Sequence, residues 1–349
     1  MSKKFDDQIK VHISKDVDEI FDVMKRGRIF HEMRELPYPF HQELLKLLNT
    51  ANPLDQTYYY IEQEERYAFF TVYENRMDLL TYGKAQWFMN VQTIGFPCSL
   101  SSPGYLTNDL VWMLAFIKTI KGCKLVLNVD QKVETRGMAF GETLPTCKLT
   151  LRPEHTSLEG YLNSLRSPYR RRIHLAEKQC RDIEVRRSSD SGIDVYPLYL
   201  QTYEKSDYKL ECLEQEFFDR ADGEKLVFLQ GETPVGFVLL KVNGTELIFM
   251  FCGMEYREEE IKNPDLYFYM LLQIVDYAIS HHCKTIDFGQ TSEKTKMKFG
   301  AVLQKKYFYA HHMNPFLNLI ALLGRHILEY TYQFPEFHVF KSEPCEKDA

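Results

Sequence analysis

The residues best suited to chemistry lie between Lys284 and Ala301. A short apolar run, Thr285-Ile286, ends in Asp287-Phe288-Gly289-Gln290, and Lys294, Lys296 and Lys298 follow. The pattern reads as a strand breaking into a helix start, with positive charge gathered just past the break. Free N–H groups at a helix N-terminus, together with lysines, hold an anion: a phosphate, a carboxylate or the phosphate backbone of a carrier. The same letters also describe a plain strand–turn–helix connection with a solvated lysine face, in which Asp287 is a turn residue and not a base.

A second basic stretch runs from Ser164 to Lys178 and carries Arg166, Arg170, Arg171 and Arg172. Ser167 as N-cap with Pro168 behind it marks a helix start. Tyr169, Ile173, Ala176 and Cys180 fall on one face, which is expected to dock on a sheet. Three adjacent arginines near a helix start oppose the helix dipole, at roughly a few tenths of a kcal/mol each. A helix built for stability alone would carry Asp or Glu there, so the conflict points to anion recognition.

Other candidates carry less. Neighbouring residues on a helix or strand point in different directions, so His281-His282 and His311-His312 are not expected to bind metal. The eight cysteines are scattered without a C-x-x-C pair and read as reduced thiols. Glu211 and Glu214 offer carboxylates to an amine, or simply decorate a surface helix.

The elements that must position these residues follow from periodicity. The first half reads as a helix over 40–48, strands at 58–63, 67–73, 77–82 and 88–94, a buried helix over 110–120 and a strand over 123–129. The second half repeats that order. Helices fall over 159–164, 168–179, 195–205 and 215–221, and a meander over 225–230, 235–242 and 246–254. A helix over 265–281 and strands at 285–288 and 305–312 complete it. The expectation is a duplicated α/β (α+β) unit with mixed, mostly antiparallel sheets. Its boundaries are 1–150, 151–315 and a C-terminal helix and tail over 316–349, the helix running from Phe316 to Tyr332 and docking on the body or on a second copy in a homodimer.

A chain of 349 residues suits two domains. Its net charge of −6 argues against a protein wrapped in DNA, although a local basic patch for tRNA is compatible with it. The N-terminal residues lack the apolar core of a signal peptide, and no apolar run is long enough to span a bilayer, so a cytoplasmic location is expected.

Taken together, the helix pattern SLRSPYRRRIHLAEK and the strand–helix pattern IDFGQTSEKTKMKFGA, with the meander between them, resemble the FemABX-like branch of the GNAT N-acyltransferase superfamily. Within that branch they resemble the acetyltransferase-like group of the CelD type. The resemblance covers residues 150–315, and the first half by element order. It implies tandem GNAT-like folds and transfer of an acetyl or aminoacyl group from a carrier to an amine or hydroxyl. The acceptor would be a small molecule or a lipid- or nucleotide-linked one, in cell-wall or envelope polysaccharide metabolism. In such chemistry backbone N–H groups on a splayed strand stabilise the oxyanion and a general base takes the acceptor's proton, with no metal and no covalent intermediate required.

Carried over residue by residue, Arg170, Arg171 and Arg172 match the family's basic helix. Asp287, Gly289, Gln290, Lys294 and Lys298 match its strand–helix motif, with Asp287 the candidate catalytic base, and Tyr267 and Tyr269 lie where a family general acid, or plain packing, would place a tyrosine. One departure matters. The family's pyrophosphate loop, Gln/Arg-x-x-Gly-x-Gly/Ala, is replaced by GMEYREEEIKNPDLY, with Glu255, Glu258, Glu259 and Glu260. An acidic loop is a poor phosphate cradle, so acyl-CoA and aminoacyl-tRNA both stand as donors. The alternative is a GNAT-like module that binds a cell-wall precursor, a nucleotide-linked sugar or tRNA without chemistry.

Overall fold

The computed structural model describes residues 9–33, 35–80, 86–98, 100–187, 192–207, 209, 211–258 and 265–341. The chain divides into two units. Unit 1 comprises Met1–Leu144, Asp207–Ala221 and Lys305–Thr331; unit 2 comprises Pro145–Ser206, Asp222–Gln304 and Tyr332–Ala349.

Unit 1 begins with β1 (Lys10–Ser14) and α1 (Val17–Arg26), whose start is fixed by the Asp16 carboxylate accepting from the N–H groups of Asp18 and Glu19. After α2 (Arg28–Glu32) and α3 (Gln42–Ala51), strands β2 (Gln56–Gln63), β3 (Arg66–Asp78) and β4 (Phe88–Ile94) form an antiparallel meander, and β5 (Tyr105–Thr107) pairs with β3. Then α4 (Leu110–Ile117) crosses over to β6 (Cys123–Val129), which lies parallel to β4 with Gln92 opposite Lys124. The apolar face of this unit packs Phe70, Ile94, Trp112 and Met113 together.

The chain continues through β7 (Ala139–Thr150), which enters unit 2 at Pro145. There follow α5 (Leu158–Ser164), α6 (Ser167–Gln179), β8 (Ile183–Arg187) and α7 (Tyr196–Lys205), while α8 (Gln215–Arg220) belongs to unit 1. Strands β9 (Glu224–Gln230), β10 (Thr233–Asn243) and β11 (Glu246–Met254) make the second meander, with β8 on its outer edge. Next, α9 (Leu266–Ser280) crosses over to β12 (Thr285–Asp287), parallel to β11 and antiparallel to β7. The short α10 (Glu293–Met297) leads into β13 (Val302–His312) and α11 (Pro315–Leu323). In unit 2, α9 sinks Phe268, Met270, Leu271 and Ile274 into a core shared with Phe288 and Phe299. At about 1.5–3 kcal/mol per fully buried apolar side chain, this contact fixes α9 on the sheet.

Each unit is thus a mixed α/β fold in which an antiparallel meander ends in a parallel strand–helix–strand step. Four local readings change. Strand β3 runs unbroken through Glu74-Asn75-Arg76, because the pairing of Tyr73 to Asp78 with Phe88 to Thr93 overrides the turn preference of Asn75. The end of the strand expected over 77–82, Thr81 and Tyr82, lies outside the described residues. Strand β7 had no counterpart in the periodicity. The last helix stops at Leu323, where Gly324 follows. Finally, Ser167 opens α6 instead of capping it; the N-cap position is Arg166, whose side chain makes no capping hydrogen bond.

Candidate active site

Strands β11 and β12 run side by side for three residues, with Glu246, Leu247 and Ile248 opposite Thr285, Ile286 and Asp287. β11 then continues to Met254, whereas the partner chain leaves the sheet at Asp287. The strands part, and a notch opens between residues 249–254 and the loop 288–292. The register fixes which backbone groups face it. The Glu255 N–H donates to the Val235 carbonyl across the β10 edge at 2.9 Å. Alternation along a strand therefore turns the N–H groups of Cys252 and Met254 to the opposite edge, the notch side. The Met254 N–H is taken there by Thr202 Oγ1 at 3.1 Å. Next to it, Gly253 lets α7 approach: an added Cβ would lie 2.5 Å from the Leu198 carbonyl carbon. The Cys252 N–H faces that same side.

The loop on the other wall is held in an unusual shape. Gly289, Thr291 and Ser292 all have positive φ, at 72°, 63° and 52°. Gly289 adopts this freely, but for a β-branched threonine it costs of order 1–3 kcal/mol. Three groups fix it. Asp287 Oδ1 accepts from Thr146 Oγ1 at 2.6 Å and from the Gly289 N–H at 2.8 Å, closing an Asx turn. Asp287 Oδ2 lies 3.7 Å from Lys148 Nζ, which also reaches Glu246 Oε1 at 2.8 Å. Lys296, 2% exposed, donates to the carbonyls of Gln290 at 2.6 Å and Gly289 at 3.3 Å. Burial lowers the Lys296 pKa, against the smaller opposing pull of Cys147, Cys252, Glu293 and Asp287.

Above this loop, Tyr267 in the first turn of α9 is hydrogen-bonded by Ser292. Burial, reinforced by Cys252, drives its phenol well above the ordinary tyrosine value, so it holds its proton at neutral pH. Burial also pushes the thiols up, Cys147 to about 12 and Cys252 to about 11. Neither is a thiolate nucleophile at neutral pH. The arrangement offers an oriented N–H, a protonated phenol and a buried amine around one opening, the equipment of acyl transfer without a covalent step.

The arginines separate. Arg172 Nη2 pairs with Asp265 Oδ1 at 2.6 Å, and its guanidinium lies 4.2 Å from the Phe268 ring centroid, so it ties α6 to the start of α9. Its Nη1 is buried without a hydrogen-bond partner among the described residues. Arg170 reaches Asn163 Oδ1 at 3.4 Å, and Arg171 is exposed against its own helix backbone. Lys294 is exposed, with its ammonium 5.8 Å from the Phe334 ring centroid, and Lys298 is half-buried at the end of α10. The structure therefore brings Asp287, Gly289, Gln290 and Tyr267 together, with Arg172 at the same end of α9. It adds Thr146, Lys148 and Lys296, which the motifs alone had not singled out. Replacing Arg172 by alanine removes one half-exposed ion pair and one cation–π contact, and is expected to cost about 1–2 kcal/mol of stability in chemical denaturation.

In the replaced pyrophosphate segment, Glu259 and Glu260 lie outside the described residues. Burial opposes ionisation of Glu255, yet hydrogen bonds from Gln201 and from the N–H groups of Arg257, Glu258 and Tyr256 hold its carboxyl below the ordinary range. Among the described residues, no group of three His, Cys, Asp or Glu side chains could hold a metal ion, and no helix is long and apolar enough to cross a membrane.

No family model matches the sequence, and neither does any curated protein. Similar solved structures include a domain described as the C-terminal (DUF2156) part of a lysylphosphatidylglycerol synthetase from Agrobacterium fabrum, at 11% identity and a TM-score of 0.49, covering 90% of this chain and 97% of that one. FemX is similar at 13% identity and a TM-score of 0.42, covering 78% and 91%. A fungal GCN5-related glucosamine N-acetyltransferase region within a β-N-acetylglucosaminidase is similar at 10% identity and a TM-score of 0.45, covering 87% of this chain and 38% of that one.

Proposed function

We propose that unit 2 transfers an acyl or aminoacyl group from a carrier to an amine or hydroxyl acceptor in the notch between β11 and β12. The observation that carries this reading is the parting of those two parallel strands beside a strained loop, with the Cys252 N–H facing the opening. The acceptor attacks the donor's carbonyl, and the Cys252 N–H receives the developing oxyanion. Tyr267 gives its proton to the departing thiolate or alkoxide. Asp287 and Lys296 act as positioning residues that hold the loop; the acceptor's proton leaves to solvent, and the Tyr267 tyrosinate takes a proton back from solvent. The start of α9, with Arg172 beside it, is the place for an anionic group of the donor. Gly289 and Gln290 form the floor, and Arg170, Arg171, Lys294 and Lys298 extend positive charge outward toward a long carrier such as tRNA. The acceptor is a small molecule or a lipid- or nucleotide-linked cell-wall or envelope precursor. All seven described cysteines are free thiols, which supports a reducing, cytoplasmic setting.

Acyl-CoA and aminoacyl-tRNA are told apart by thermal stabilisation. A donor at ~100 times its Kd stabilises the fold by about 2.7 kcal/mol. Stabilisation by one of the two names the donor class; stabilisation by neither contradicts the proposal. One observation favours the alternative, a binding module without chemistry: the ionised Glu255 stands where the family has a phosphate loop.

A further inference from the structure

We propose that α11 seats unit 1 on an anionic lipid surface. One side of this helix is committed to the protein. Asn318 Nδ2 donates to the Gly137 carbonyl at 3.0 Å, and its Oδ1 accepts from the His312 N–H at 3.0 Å. Ala321 and Leu322, with Leu328 beyond the helix, pack on Val91, Leu125, Ala139 and Phe308. The other side, Phe316, Leu319, Ile320 and Leu323, is the i, i+3, i+4, i+7 stripe that ordinarily faces a core. Here it faces solvent, with Phe316 70% and Leu323 75% exposed, and Met313 and Ile327 lengthen it. Trp87, just before β4, is 49% exposed.

Cations edge this apolar face. The Asn318–Gly137 bond brings Arg136 beside the helix, and Lys118 donates to the Arg136 carbonyl at 3.1 Å. The Met313 N–H donates to the Gly122 carbonyl at 3.3 Å, which sets the exposed Lys121 at the helix start. At the other end, Arg325 and Lys132 both lie 5.2 Å from the Phe140 ring centroid, and His326 follows. Of the acids nearby, Glu329 is engaged by the Glu142 N–H and by His326, and Glu134 is exposed.

The charge pattern selects the occupant. A second copy docked two-fold on this face would bring two basic rims together. An anionic bilayer satisfies both features, taking Phe and Leu at the acyl boundary and the cations at the phosphates. A helix of nine residues is roughly 14 Å long, so it lies in the interface and does not cross it.

The test is co-sedimentation of the full chain with vesicles of phosphatidylcholine alone and of phosphatidylcholine mixed with phosphatidylglycerol. Binding is expected to the mixed vesicles, weakening with salt. Phe316→Glu/Leu323→Glu is expected to weaken it at least about tenfold, and Arg325→Glu by a smaller factor, with melting temperature unchanged because these side chains are largely exposed. Failure to bind the mixed vesicles, or equal binding by the double variant, overturns the proposal. So does a solution dimer that the double variant converts to monomer without any vesicle binding.

Discussion

Lys296→Met is expected to lower transfer turnover by about a hundredfold and stability by about 2–3 kcal/mol. Methionine fills the same channel but cannot donate to the Gly289 and Gln290 carbonyls, and a buried acceptor left unsatisfied costs about 1–3 kcal/mol. Gly289 O keeps a second donor, the Cys147 N–H at 3.1 Å, so most of the loss falls on Gln290. With that tie gone, Thr291 and Ser292 relax from the left-handed region, and Ser292 no longer orients the Tyr267 phenol. Activity therefore falls further than a purely structural loss would require. Lys296→Arg, which keeps donors but not shape, should recover stability more than turnover.

The same residue sets a pH dependence whose sign follows from burial. Its folded-state pKa lies below the ordinary 10.5, so the unfolded chain binds this proton more tightly. Below the folded value both states are protonated, and the penalty of the buried charge is fully present. Stability then rises with pH between the folded value and 10.5, where the unfolded state still carries the proton. Denaturation measured through the alkaline range should show this rise in the wild type and lose it in Lys296→Met.

Tyr267→Phe is the cleaner probe of chemistry. It removes one hydroxyl from the wall of the notch and leaves the ring that packs against the unit 2 core. Stability should change by less than about 1.5 kcal/mol, the net worth of one hydrogen bond. Loss of a general acid should lower kcat by about a hundredfold or more while KM for the donor stays near the wild-type value. A binding module without chemistry would show no turnover to lose and unchanged ligand affinity, so this variant also separates the two functional readings. Because the phenol pKa is raised, any limb of the pH–rate profile owed to Tyr267 should lie above the ordinary tyrosine value of 10.0.

The repeated order of meander, helix and strand was readable because the strands are apolar runs parted by turn residues such as Gly231 and Asn243-Gly244, and the two crossover helices are apolar runs. β7 was not, since Pro145 and Gly141 interrupt its pattern and read as strand breakers. With β7 went Thr146 and Lys148, the partners of Asp287, which lie more than a hundred residues away in sequence. Asp287, Gly289 and Gln290 drew attention through their own letters. Lys296 did not stand out among three alternating lysines, yet a signal was present: it lies three residues from both Glu293 and Phe299, and all three are buried on one side. The arginine triplet was equally ambiguous. Arg172, which adjoins the buried Ile173, is drawn to α9, while Arg171 points to water.

The most direct test is transfer itself. Full-length protein is incubated with acyl-CoA or aminoacyl-tRNA and a panel of amine and hydroxyl acceptors, and products are read by mass spectrometry. The account predicts a transferred acyl or aminoacyl group with at least one donor, lost in Tyr267→Phe while that variant melts like the wild type. Undiminished transfer by Tyr267→Phe, or no transfer from either donor by a wild-type chain that neither donor stabilises, would contradict it.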